Sequence, residues 1–213
     1  DIESSAFISS GIAYGSRVQI IKTLNKIHQE FLESPTNYIK EKKYQHYQNQ
    51  EQCLYRFYQE KDFFQLCETL HTIFFKENFS CLEDKIQSLV CQKPTAIEVL
   101  EAITKIFPNQ KGIPQNTKSA CKRLCLFLRW MIRKNSEVDF GIWNILQEKD
   151  LIIPLDTHVF RISKQLSLTN RKQADMLSAI QITEKLKITF PDDPLLGDYA
   201  LFGYGVKHQE KTK

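Results

Sequence analysis

The run Pro154–Leu155–Asp156–Thr157–His158–Val159–Phe160–Arg161 decides how this chain is read. Three apolar residues, Leu151, Ile152 and Ile153, lead into the proline. A residue that precedes proline is driven out of helical geometry. Asp156 then occupies the position of a helix N-cap, where a carboxylate accepts the orphan amide hydrogens of the first turn. Val159, Ile162 and Leu166 follow at helical spacing. The positive end of the helix favours the ionised carboxylate. Taken alone, Asp156 is a cap. Lys122, 34 residues upstream at the start of another strongly apolar helix, gives it a second meaning. An amine and an ionised carboxylate brought together are a nucleophile and a stabiliser of positive charge.

The rest of the chain sets bounds on that reading. Its 213 residues suffice for one large or two small domains with a proper core. Charged residues make up 25% and hydrophobic ones 42%, as in ordinary folded proteins. With only 7 Gly and 7 Pro and no Gly/Ser linker, the composition favours a helix-rich body over a β-sandwich. A net charge of +4 permits nucleic-acid binding without demanding it. The six cysteines at 53, 67, 81, 91, 121 and 125 form no CxxC, complete no zinc pattern with histidine and build no iron–sulfur run. No metal site and no cofactor are expected. With no apolar stretch of membrane length and no signal peptide, the cysteines read as free thiols in a reducing cytoplasm. The chain opens on Asp1 rather than methionine, which leaves room for a short leader.

Apolar spacing predicts one or two helices over 2–32, with Phe7, Ile8, Ile12, Val18, Ile21, Leu24 and Ile27 on a stripe. The basic, Gln/Tyr-rich stretch from Lys40 to Gln52 reads as a solvated loop or exposed helix. Further helices are expected from Asp62, over 82–90, over 96–107 after the start signal Pro94–Thr95, over 119–133, in a short piece over 138–147, and then over 157–166, 173–190 and 197–206. No strand pair is expected. Between the helices expected over 96–107 and 119–133 lies the turn-rich loop 108–117, containing Lys111 and Gly112. A helix, such a loop and a second helix outline a helix–hairpin–helix, whose amides can face backbone phosphates.

The order hairpin, lysine, apolar helix, Asp-x-His resembles the helix–hairpin–helix DNA glycosylase superfamily. Further stretches, Ala13–Tyr14–Gly15, Ser119 to Leu124, Phe127 to Met131 and Ala200 to Gly203, look like a bacterial family of formerly unknown function similar to the archaeal 8-oxoguanine DNA glycosylases. The resemblance covers most of the chain. It implies an all-α glycosylase fold over 1–213, with the hairpin and catalytic segment at about 96–165 and two helical subdomains flanking an active-site cleft. It assigns catalysis to Lys122 and Asp156. It places Asp198 and Phe202, four apart on one helix, against an extruded base; Tyr14 is a further pocket candidate. Lys111, Gly112, Lys118 and His158 are the candidate DNA contacts. The implied partner is double-stranded DNA carrying damaged bases, bound by a monomer. Two departures stand out: the hairpin has Gly112 but no Gly-x-Gly, and the lysine–aspartate gap is long, filled by a piece holding Phe140, Trp143 and Ile145.

Each candidate also has a plainer role. His158 can be a packing histidine, Asp198 a cap, Phe202 and Trp143 core. A glycosylase for other oxidised or alkylated bases, or a non-catalytic helical DNA-binding module, stays open beside the 8-oxoguanine reading.

Overall fold

The computed structural model describes residues 1–32 and 34–207. The chain is mostly helical and divides into two compact units, Asp1–Gln92 with Ala102–Gln115, and Lys93–Glu101 with the chain from Asn116 onward. Among the described residues, no helix is long and apolar enough to cross a membrane.

The first unit begins with α1 (Ile2–Gly11), α2 (Arg17–Phe31) and α3 (Pro35–Lys40). Ser34 caps α3 by accepting from the Asn37 amide at 3.0 Å, and Pro35 supplies the preset φ of a first helical turn. On α2 the expected apolar stripe is only partly used. Ile27 and Phe31 are buried, whereas Val18 and Ile21 are exposed. The stretch 40–52, expected to be a solvated face, is exposed along most of its length, with two exceptions. Lys43–Tyr47 forms a 3₁₀ turn that buries Tyr44 and Tyr47. Their hydroxyls donate to the carboxylates of Glu68 and Glu30, so the rings enter the core without stranding a polar tip.

A small hairpin, β1 (Cys53–Tyr55) and β2 (Tyr58–Gln59), corrects the expectation of no strands. It is too short to leave an alternation in the sequence, and two buried tyrosines, Tyr55 and Tyr58, hold it down. There follow α4 (Glu60–His71), a π turn (Thr72–Lys76) and α5 (Leu82–Gln87). Phe63, Leu66 and Leu70 of α4 lie in the core. Phe107 joins them, its ring 4.7 Å from that of Phe7.

Helix α6 (Ala96–Ile106) starts in a reciprocal cap: Glu98 accepts from the Thr95 amide at 2.7 Å and returns its own amide to the Thr95 hydroxyl at 3.3 Å. In the second unit come α7 (Lys122–Ile132), a 3₁₀ turn (Glu148–Asp150), α8 (Thr157–Gln165), α9 (Met176–Thr189) and α10 (Leu196–Lys207). The segment 138–147, expected as a helical piece, has no helix. The Phe140 and Gly141 amides both donate to the Trp130 carbonyl, at 2.7 and 3.1 Å, and the Trp143 amide donates to Met131 at 2.7 Å. Those carbonyls end α7 and have no partner within it. Trp143 then stands edge-on to Phe127, 5.1 Å between ring centres. The long connection between Lys122 and Asp156 is therefore folded back along the end of α7.

Candidate functional site

Lys122, Leu126 and Arg129 recur at four and three on α7, so they share one face. Lys122 is the first residue of that helix, preceded by Cys121 at φ +46°. The segment 151–155 runs in with Leu151, Ile153 and Leu155 buried. The Ile153 amide is tied to the Thr183 hydroxyl of α9 at 3.1 Å. This anchor delivers Asp156 to the start of α8. There one carboxylate oxygen accepts from the His158 and Val159 amides at 2.9 and 2.8 Å. The other oxygen faces the Lys122 ammonium at 3.5 Å. Capping and pairing thus use different atoms of one side chain.

Helix α10 supplies the opposite wall. Its fit against α8 depends on Gly205, where a Cβ would come within 3.2 Å of the His158 Cβ. Arg161 Nη2 donates to the Gly205 carbonyl at 2.9 Å. Between α7, the start of α8 and α10 lies a cavity of about 220 Å³. Lys122, Asp156, Arg129 and Asp198 bring charge to it, and Phe202 and Tyr199 bring aromatic surface.

Beneath this wall lies a buried network that the sequence reading missed. Arg129 Nη1 donates to Asp198 Oδ2 at 2.8 Å, and its Nε donates to Asp139 at 3.3 Å. Arg133 donates to Asp139 at 2.9 Å and to Asp193 at 2.7 Å. Tyr199 covers both guanidiniums, its ring centre 4.7 Å from Arg129 Cζ and 5.6 Å from Arg133 Cζ. The signal was two arginines four apart in an apolar helix, which places both on one face. Burial pushes the Asp198 carboxyl up to about 6, and the Asp156 charge adds to the rise, while Arg129 and Lys122 oppose it.

Residues 1–207 match the family model described as a protein of unknown function, DUF2400. The chain is a DUF2400 protein. No curated protein and no solved structure matches it.

In this DUF2400 chain, Lys122, Asp156, Asp198 and Phe202 meet at one cavity. Phe202 is 46% exposed, so it is not a core residue. His158 turns its ring edge toward Phe202 at 6.2 Å, and its Nδ1 is buried without a hydrogen-bond partner among the described residues. Lys118 is exposed in the same unit, and its carbonyl accepts from the Met176 amide at 3.3 Å. Tyr14, Lys111 and Gly112 belong to the other unit. Tyr14 packs there against Tyr55, ring centres 5.1 Å apart. The Lys111 ammonium lies 3.7 Å from an Asp62 oxygen, and Gly112 takes φ +95°. The turn-rich loop expected over 108–117 runs over 107–121, and the boundary between the units falls inside it. Among the described residues no cluster of three or more His, Cys, Asp or Glu could hold a metal ion.

Proposed function

We propose that this chain is a DNA glycosylase with AP lyase activity, of the helix–hairpin–helix superfamily, that removes 8-oxoguanine from double-stranded DNA. The observation that carries this reading is the Lys122–Asp156 pair, 3.5 Å apart at the edge of a cavity that also presents Asp198 and Phe202. A base within a duplex is out of reach, so it is flipped into the cavity, at an unstacking cost on the order of a few kcal/mol. Phe202 offers a face for the extruded ring. The Asp198 carboxylate accepts the N–H that 8-oxoguanine carries at N7, where guanine has an acceptor instead.

Chemistry follows from the other two groups. Asp156 carries negative charge beside the sugar, where positive charge grows as the glycosidic bond breaks. The Lys122 ammonium first gives a proton to solvent, and the free amine forms a bond to C1′. The electron pair of the C1′–N9 bond leaves with the base, which takes up the proton that the attacking nitrogen sheds. The nitrogen lone pair then expels O4′, which takes up a proton from water, and the sugar ring opens to a protonated imine. Loss of a C2′ proton expels the 3′ phosphate and cuts the strand. Asp156 has its second oxygen fixed by two amides, so its charge is held in place and does not need to be gathered during the reaction.

The test is borohydride trapping on duplexes carrying 8-oxoguanine, other oxidised or alkylated bases, or an abasic site. A covalent adduct formed on 8-oxoguanine DNA and lost in Lys122→Gln supports the reading. An adduct only with another lesion reassigns the substrate. Duplex binding without any adduct leaves a non-catalytic DNA-binding module.

A further inference from the structure

We infer that Arg129 is a positioning residue: it holds the Asp198 carboxylate ionised and aimed into the cavity, and so sets the discrimination between a purine bearing an N7 hydrogen and one with a bare N7. The inference rests on the base-excision reading above. An ionised carboxylate can only accept, so it matches the N7 hydrogen of 8-oxoguanine. A protonated carboxyl can donate, and then it matches the bare N7 of guanine. Selectivity at this position is therefore a question of which form Asp198 takes.

The geometry answers it from several sides. Arg129 lines the cavity and reaches Asp198 at 2.8 Å. It cannot swing away, because Asp139 grips its Nε at 3.3 Å and Tyr199 lies over its plane. Asp139 is itself fully buried and pinned by Arg133, which Asp193 holds in turn. A guanidinium stays protonated throughout the working range. Buried ion networks are commonly no more stabilising than well-packed apolar residues of the same volume, so stability alone gives little reason for this one. The other charges that act on Asp198 are few. Lys122 from α7 favours its ionised form, and Asp156 at the start of α8 favours its proton. On α8, His158 is turned to Phe202 and Arg161 to the Gly205 carbonyl. With Arg129 removed, burial and Asp156 both act to protonate Asp198, and Lys122 alone opposes them.

The experiment compares single-turnover excision of 8-oxoguanine and of guanine from matched duplexes between about pH 5 and about pH 8. It uses the wild-type chain, Arg129→Gln, Arg129→Lys and Asp198→Asn. In parallel, the Asp198 carboxyl carbon is titrated by NMR without DNA and identified by its loss in Asp198→Asn. In the wild type the carboxyl is expected to titrate near pH 6, and selectivity to fall about tenfold for each pH unit below that midpoint. In Arg129→Gln the midpoint is expected to rise by about one unit or more, with selectivity lost about tenfold at neutral pH. Arg129→Lys is expected to restore much of both. Should Arg129→Gln fail to fold, Arg129→Gln/Asp139→Asn removes the buried Asp139 charge, which has then lost one of its two guanidinium partners, and is read in its place. A folded Arg129 variant with unchanged midpoint and selectivity overturns the inference while leaving the glycosylase reading intact. A shifted midpoint in a chain that excises neither base overturns the glycosylase reading and the discrimination with it, leaving only the hold of Arg129 on Asp198.

Discussion

Lys122 and Arg129 stand two turns apart on one face of α7, and each meets a carboxylate, yet the two pairs are built differently. The lysine side chain is 37% exposed and lies 3.5 Å from Asp156. The arginine is 9% exposed, lies 2.8 Å from Asp198, and is braced by a second carboxylate and an aromatic ring. A looser, half-open pair suits a side chain that must move and react. A tight pair around a group that never loses its proton suits a fixed wall. On this view one cavity has a reacting edge and a rigid back, and sequence alone distinguishes them poorly, since both read as a cation on an apolar helix.

The sharpest way to break the contrast is to remove the brace. Asp139→Ala takes one of two carboxylates from each of two buried guanidiniums, which keep Asp198 and Asp193, and is expected to lower stability by about 1–3 kcal/mol, measured by urea unfolding. Lys122→Gln, by contrast, is expected to cost under about 1 kcal/mol, as for a partly exposed pair. Equal losses would erase the distinction between the two pairs. Next comes Asp156→Asn. Asparagine caps a helix about as well as aspartate, so the fold should hold while excision falls by about 10²–10³ in single-turnover rate. A rate near the wild-type value would return Asp156 to a purely structural role.

Two smaller effects sharpen the comparison further. Gly141 takes φ +60°, and a Cβ there would stand 2.7 Å from the Lys134 Cα and 2.9 Å from the Arg133 carbonyl. Gly141→Ala is expected to destabilise by about 1–3 kcal/mol in thermal melts, because the obstructing atoms are backbone. The last effect is a pH dependence. The Asp198 carboxyl sits at about 6, above the ordinary carboxyl value of 3.8. The unfolded chain therefore gives up that proton first, and the contribution of Asp198 to stability declines as pH rises from about 4 to about 6. Asp198→Asn is expected to flatten that decline in melting temperature. An identical pH slope in both chains would show that folding does not raise the Asp198 carboxyl.

Much of the site was legible because it is written in local rules. Pro154 and Asp156 mark the start of α8, and the hydrogen bonds to His158 and Val159 are the ones such a cap makes. Spacing also placed Lys122, Asp198 and Phe202 on helices. What escaped was long-range. Asp139 pairs with Arg129 and Arg133 from a segment that has helical spacing but spends its amides on the end of α7. Tyr44 and Tyr47 looked solvated among lysines and glutamines, and became core because Glu30 and Glu68 take their hydroxyls from other elements. The β1–β2 hairpin is shorter than any window in which alternation can be recognised.

Cys121 has a consequence for how this chain could be improved. Its φ of +46° lies where a non-glycine backbone costs roughly 1–2 kcal/mol, and Lys122 is the next residue. Glycine there releases that strain but removes a buried thiol that donates to the Asn116 carbonyl at 3.6 Å. The same exchange would give the backbone entering α7 more freedom, and the nitrogen proposed as nucleophile hangs from its first residue. On the proposed reading, the backbone strain at one α-carbon is thus tied to how firmly the nucleophile is held.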